Sequence, residues 1–189
     1  MDFSELAGYF DKIENISSRL EMTIILAELF EKSKKDEIKK IVYLSQGILG
    51  PNHIALEAGL GEGLIEQGLA KANGYSKEEI KKSYKELGDL GLVAEKYSEK
   101  KKQQALFSEK LSIKKVFENF IKMSNLEGKG SQESKLKMFA ELLNSASPKE
   151  ARYIARIPLG NLRLGAGDPT LMDSLAANYL SEFTKNKKI

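Results

Sequence analysis

The chain has 189 residues, 41% hydrophobic and 30% charged, with a net charge of +3, one histidine and no cysteine. That length suits one generous domain or two small ones, in a soluble globular chain with a real core. The lack of cysteine removes disulfides, thiolate metal sites and cysteine nucleophiles, and the lone His53 cannot build a multi-histidine metal site.

No run approaches the ~20 apolar residues needed to cross a bilayer. Met1 to Tyr9 lacks the basic and apolar regions of a signal peptide. A cytoplasmic, monomeric protein with no membrane partner is the expectation.

Taken in chain order, the pattern is helical almost throughout. Phe3, Leu6, Ala7, Phe10 and Ile13 recur at the three- and four-residue spacing of an amphipathic helix. Asn15-Ile16-Ser17-Ser18 offers a break and a new N-cap ahead of Ile24, Ile25, Leu26, Leu29 and Phe30. A short helix around Ile38, Ile41 and Val42 follows, and the glycine-rich stretch from Gly47 to Gly63, with Pro51, reads as a loop. Ser76-Lys77-Glu78-Glu79 is a capping box opening a helix through Ile80, Tyr84 and Leu87, with Gly88 placed to end it. Leu111 and Val116 flank Ser112 at hydrophobic-staple positions, ahead of Phe117, Phe120 and Ile121. Ser147-Pro148-Lys149-Glu150 joins an N-cap, a proline in the first turn and a capping glutamate. Asp168-Pro169 repeats the cap and proline before Leu171, Met172, Leu175, Tyr179 and Phe183. Nothing shows sustained period-two alternation. The expected class is all-α.

Leu60-Gly61-Glu62-Gly63 before Ile65 and Leu69 has an echo in Leu164-Gly165-Ala166-Gly167 before Leu171 and Leu175, which would mark two related lobes. These lobes are expected at roughly residues 1–100 and 101–183. Charge divides similarly: residues 1–99 carry 13 Lys and Arg against 18 Asp and Glu, a net of −5, and the remainder carry 17 against 9, a net of +8. A basic half suggests a polyanion partner, or else lysines that merely solubilise helix faces.

Several chemistries are missing. The chain has no Lys-x-Asp-Gly nucleophile setting and no phosphate loop of the Gly-x-x-x-x-Gly-Lys-Ser/Thr type. Gly59-Leu60-Gly61-Glu62-Gly63 has the wrong spacing for a dinucleotide fingerprint, and His53 reads as an ordinary loop residue. No catalytic residue, metal site or cofactor is assigned to this chain. No helix carries Arg, Asn or Gln at base-reading spacing, which argues against a helix-turn-helix regulator.

Two segments do carry chemistry. Between Arg156 and Pro169 the chain leaves one capped helix and enters another through a turn bearing Gly160, Gly165 and Gly167. Glycine admits close approach of a ligand, and Arg156 and Arg163 add positive charge beside the next helix start. The turn either binds phosphate or is a tight connection whose arginines pair with carboxylates. Gly128-Lys129-Gly130-Ser131, followed by Lys135, has the same logic: a phosphate cradle at a helix mouth, or a flexible linker.

At these residues a family resemblance emerges. The run from Gly128-Lys129-Gly130-Ser131-Gln132 through Ser147 to Tyr153 and on to Leu162-Arg163-Leu164-Gly165 resembles the N-terminal DNA-binding domain of replicative ATP-dependent DNA ligases, especially the archaeal type. Leu60-Gly61-Glu62-Gly63 and Gly88-Asp89-Leu90-Gly91-Leu92-Val93-Ala94-Glu95 look like earlier landmarks of that family. The resemblance implies a two-lobed helical domain laid along the minor groove of nicked duplex DNA. Gly160, Arg163 and Gly165 would sit against phosphates, with Gly61 and Gly63 as a weaker equivalent. Asn161 departs from a position often basic in the family. ATP and magnesium would belong to catalytic domains beyond this chain, so an isolated or truncated domain unable to seal a nick alone is expected. Relatives often bind the sliding clamp nearby, and Gln103, Leu106 and Phe107 look like a degraded clamp motif kept exposed by Lys100-Lys101-Lys102. The alternative is that Leu106 and Phe107 fold into the core. A helical module for the clamp is the alternative function.

Overall fold

A computed structural model describes residues 1–51, 56–101 and 110–186, with side chains as far as residue 179. Its described residues form ten α-helices: α1 (Phe3–Glu14), α2 (Arg19–Lys32), α3 (Lys35–Gln46), α4 (Glu62–Asn73), α5 (Lys77–Leu87), α6 (Leu90–Glu99), α7 (Ile113–Ser124), α8 (Ser131–Ser145), α9 (Pro148–Arg156) and α10 (Asp168–Asn186). A 3-10 turn, Ile157–Leu159, follows α9 directly. The class is all-α, as the periodicity requires. None of the described helices is long and apolar enough to cross a membrane.

The helix starts are set by local chemistry. Ser18, Ser76, Ser112 and Ser147 each cap a helix, accepting from the amides of Glu21, Glu79, Lys115 and Glu150. Each such cap is worth about 1 kcal/mol. Glu79 and Glu150 reach back to the cap amides, completing two capping boxes. Leu111 and Val116 are both buried around Ser112, closing the staple. Gly88 ends α5 in the left-handed conformation at φ +65°. One boundary differs from expectation: the loop after Gly47 ends at Gly61, so Gly63 lies inside α4, while α10 begins at Asp168 as expected.

Gly61 and Gly167 hold the same place at the starts of α4 and α10. The Gly61 carbonyl accepts from the Leu64 and Ile65 amides, and the Gly167 carbonyl accepts from Thr170 and Leu171 in the same way. Ile65 and Leu171, four residues on in each case, are buried.

The most extensive helix pairs are α6 with α9, α2 with α10 and α4 with α8, and each joins an element before residue 100 to one after it. The buried hydrophobic residues form one continuous cluster. Glycine lets two of these pairs close: a Cβ on Gly91 of α6 would lie 2.8 Å from the Arg152 carbonyl of α9, and one on Gly68 of α4 would overlap the Phe139 ring of α8. Phe10 of α1 meets Tyr153 of α9 edge to face at 5.3 Å, both rings buried.

Candidate nucleic-acid interface

The segment after α9 is built by alternation. Leu162 and Leu164 are buried, whereas Gly160, Asn161, Arg163 and Gly165 are exposed. The two leucines pin the turn to the core and leave the intervening residues facing outward. Gly160 and Gly165 are left-handed, at φ +63° and +69°. Arg163, at +59°, is the one non-glycine residue with positive φ among those described. Such a conformation costs an ordinary side chain roughly 1–2 kcal/mol, so the surroundings must hold it.

Arg156 does not face that surface. It is 1% exposed, and its guanidinium is saturated from inside the protein. Nη1 donates to Glu14 Oε2 at 2.8 Å and to the Leu162 carbonyl at 3.2 Å. Nη2 donates to Glu14 Oε1 at 3.0 Å and Asp89 Oδ2 at 2.6 Å, and Nε donates to Asp89 Oδ1 at 3.2 Å. All five N–H groups are engaged. The expected phosphate contact by Arg156 is therefore corrected: it has neither exposure nor a spare donor, and it anchors the turn through Leu162 instead.

Arg163 is different. Half of its side chain is exposed, its Nε lies 3.2 Å from Asp89 Oδ2 and its Nη2 donates to the Gly88 carbonyl at 2.9 Å.

These pairs account for part of the charge asymmetry. Lys149 and Arg152 reach Asp11 at 2.6 and 3.1 Å, and Arg152 also pairs with Glu95. Four cations of the basic half (Lys149, Arg152, Arg156, Arg163) are thus matched to four carboxylates of the acidic half (Asp11, Glu14, Asp89, Glu95). Burial pushes the Glu14 and Asp89 carboxyls up, but hydrogen bonds and charge from Arg156 outweigh it and hold both below the usual carboxylate range. Burial likewise raises the Tyr153 hydroxyl, and its donation to Glu14 raises it further.

The α8 mouth is formed by Gly128 and Gly130 at φ +80° and +86°, both exposed, with open space where a Cβ would stand. The Ser131 amide bonds back to Gly128 and the Ser134 amide to Gly130. Between them, the Gln132 and Glu133 amides have no partner within the helix, as for any first turn. Ser131 is the first helical residue, Lys129 is exposed, and Lys135 lies one turn in.

The structure brings several of these glycines together. Gly59, Gly61 and Gly160 line one groove of about 530 Å³, with Gly47 behind Gly160 so closely that a Cβ on Gly47 would be 2.8 Å from the Gly160 Cα. The Lys135 ammonium of α8 lies against Gly59, where a Cβ would stand, beside the groove rather than in its lining. Gly61 and Gly63 are exposed, neither has positive φ, and a Cβ on either would meet nothing within 4 Å. Gly47, Gly59 and the Lys135 contact were not singled out from sequence, because a meeting of residues so far apart along the chain leaves no local signal.

The α10 mouth is a weaker anion site than its glycines suggest. Pro169 has no N–H, the Thr170 and Leu171 amides are spent on Gly167, and Asp168 places a carboxylate there that accepts from Gln46. Lys101 is not a freely solvated charge either. Its ammonium caps the end of α8, donating to the carbonyls of Leu143 at 2.8 Å, Ala146 at 3.1 Å and Asn144 at 3.3 Å. Gln103, Leu106 and Phe107 of the clamp-like motif, and His53, lie outside the described residues.

Comparison with known proteins bears on the family of the chain. Residues 2–176 match the family model described as DNA ligase N terminus. The chain is 42% identical over 189 residues to a DNA ligase of Nitrosopumilus maritimus, covering 100% of the chain and 32% of that ligase. It is 44% identical over 191 residues to a DNA ligase of Staphylothermus marinus, covering 95% and 32%. With a DNA ligase of Acidianus ambivalens the figures are 40% over 188 residues, 95% and 31%. The chain thus spans about a third of the length of these curated relatives. Helical fold, turn geometry and family match converge, and the chain belongs to the DNA ligase N-terminus family.

Proposed function

We propose that this chain, as a monomer, grips double-stranded DNA through its sugar-phosphate backbone without reading sequence. It would hold nicked duplex for sealing by an ATP-dependent DNA ligase in replication, repair and recombination. The observation that carries this reading is the groove in which Gly59 and Gly61 meet Gly160; Glu57 and Glu62 also line it, and the positive charge nearest to it is the Lys135 ammonium held against Gly59. Gly63 adds to it. A glycine inside a helix costs roughly 0.5–1 kcal/mol relative to alanine, and neither backbone geometry nor packing within the chain calls for one there. Close approach by an external backbone gives it a reason. Lys129 and Lys135 beside the α8 mouth and Arg163 on the pinned turn supply charge, while Gly128, Gly130, Ser131, Gly160 and Gly165 supply room and donors.

Lysine adenylation, transfer to a 5′-phosphate and attack by a 3′-hydroxyl need residues this chain does not offer. It has no Lys-x-Asp-Gly tetrad, and among the described residues no three His, Cys, Asp or Glu side chains gather to hold a metal ion. Those steps, with ATP and magnesium, would fall to other parts of a longer ligase.

The test is duplex affinity across a salt series, on two DNA duplexes of unrelated sequence. Three phosphates neutralised by Lys129, Lys135 and Arg163 give a log–log slope of about −2.7 or steeper. Equal affinity for both sequences with that slope is the expected result. A marked preference for one sequence, or a flat salt dependence, would overturn the reading.

A further inference from the structure

Asp89 stands at the junction of the buried ion network and the exposed turn. It is 4% exposed and caps α6 through Oδ1, which accepts from the Gly91 amide at 2.7 Å. Its Oδ2 faces two arginines, Arg156 Nη2 at 2.6 Å and Arg163 Nε at 3.2 Å. Next to it, the Gly88 carbonyl accepts from Arg163 Nη2 at 2.9 Å. Gly88 and Arg163 both have left-handed backbones, so the chain is turned on each side to bring these groups together.

We propose that Asp89 is a positioning residue for DNA binding: with the Gly88 carbonyl it holds one edge of the Arg163 guanidinium, so that the other edge meets a duplex phosphate already ordered. The inference rests on the duplex reading of Arg163 given above. Two features make the arrangement suitable. Asp89 is already matched by Arg156, so it is not left unpaired in the interior if Arg163 shares its charge with a phosphate. Arg163 is planar, so the Nη2 hydrogen bond to the Gly88 carbonyl, with the Nε side drawn to Asp89 as an ion pair, sets the direction of the remaining donors, which a lysine could not reproduce. Ordering a long side chain before binding removes that cost from association.

A double-mutant cycle on duplex affinity tests it, using the full chain and a fluorescently labelled nicked duplex. Asp89→Asn keeps a capping oxygen for α6 and removes the charge. It is expected to weaken binding roughly two- to tenfold, the cost of ordering one rotamer-rich side chain, and to have no effect in an Arg163→Ala background. Arg163→Lys, at an exposed position that leaves the buried network intact, keeps the charge without the fork and is expected to bind more weakly than the parent chain, by a factor close to that of Asp89→Asn, while staying above Arg163→Ala. Equal effects of Asp89→Asn in both backgrounds would overturn the positioning role while leaving Arg163 as a DNA contact. Wild-type affinity for Arg163→Lys would overturn it in the same way. Wild-type affinity for Arg163→Ala would overturn both.

Discussion

Arg156 and Arg163 share one carboxylate, Asp89, and do different work on either side of it. Arg156 is shut inside the seam of α1, α6 and α9, with every donor engaged by Glu14, Asp89 and the Leu162 carbonyl. Arg163 sits half exposed on a turn pinned by Leu162 and Leu164, with a left-handed backbone and one edge tied down. The same side chain is structural where burial saturates its donors, and available to a ligand where packing leaves an edge open. Cation type and spacing near a glycine turn do not separate the two cases; the supply of nearby carboxylates does.

The contrast is broken most forcefully at Arg156. Arg156→Leu leaves Glu14 and Asp89 without their main partner in a buried seam, and stability should fall by about 3–5 kcal/mol. Urea denaturation would show this as a lower midpoint at unchanged slope. A loss under ~1 kcal/mol would mean the network contributes little.

Acid should attack the same seam. The Glu14 and Asp89 carboxyls are held below their unfolded values, near 4, so their stabilisation is fully present above that pH and is lost as pH falls through their depressed folded values. Thermal midpoints measured downward from pH 5 should decline steeply below pH ~4. The decline should be shallower in a Glu14→Gln variant, which has one fewer such carboxylate.

Arg163→Ala sharpens the other side. Arg163 is half exposed and Asp89 keeps Arg156 as its partner, so folding should change by no more than about 1 kcal/mol, while the salt slope of duplex binding should lose about 0.9. Unchanged duplex binding would remove Arg163 from the interface. Gly63→Ala should have opposite signs in its two readouts, gaining roughly 0.5–1 kcal/mol in stability and losing duplex affinity. A gain in both would leave the open glycine without a role in DNA contact.

What could be read from the sequence follows from range. Capping serines, the Leu111–Val116 staple and the Gly88 stop are encoded within a few residues, and the helices start and end where those signals stand. α6 is the element that the helical reading passed over. Its Leu90-Gly91-Leu92-Val93 start combines a glycine with a β-branched residue, and only Asp89 as an N-cap announces it. The pairing of Arg156 with carboxylates was one of the two readings open for this turn, but nothing local chose it over the other, and Tyr153, Ile154, Ala155 and Arg156 are all buried. The acidic excess of residues 1–99 was the available clue, since it supplies the carboxylates that absorb the arginines. Helix pairing across residue 100 had no local signal, because it is a tertiary fact written in small residues such as Gly68 and Gly91.

Amide hydrogen exchange of the chain with and without nicked duplex tests the central claim most directly. Slowed exchange concentrated at residues 59–64, 128–135 and 160–165 is the expected outcome, with the α1–α6–α9 seam unchanged. Protection that spares those glycine turns and falls on another face would contradict the account.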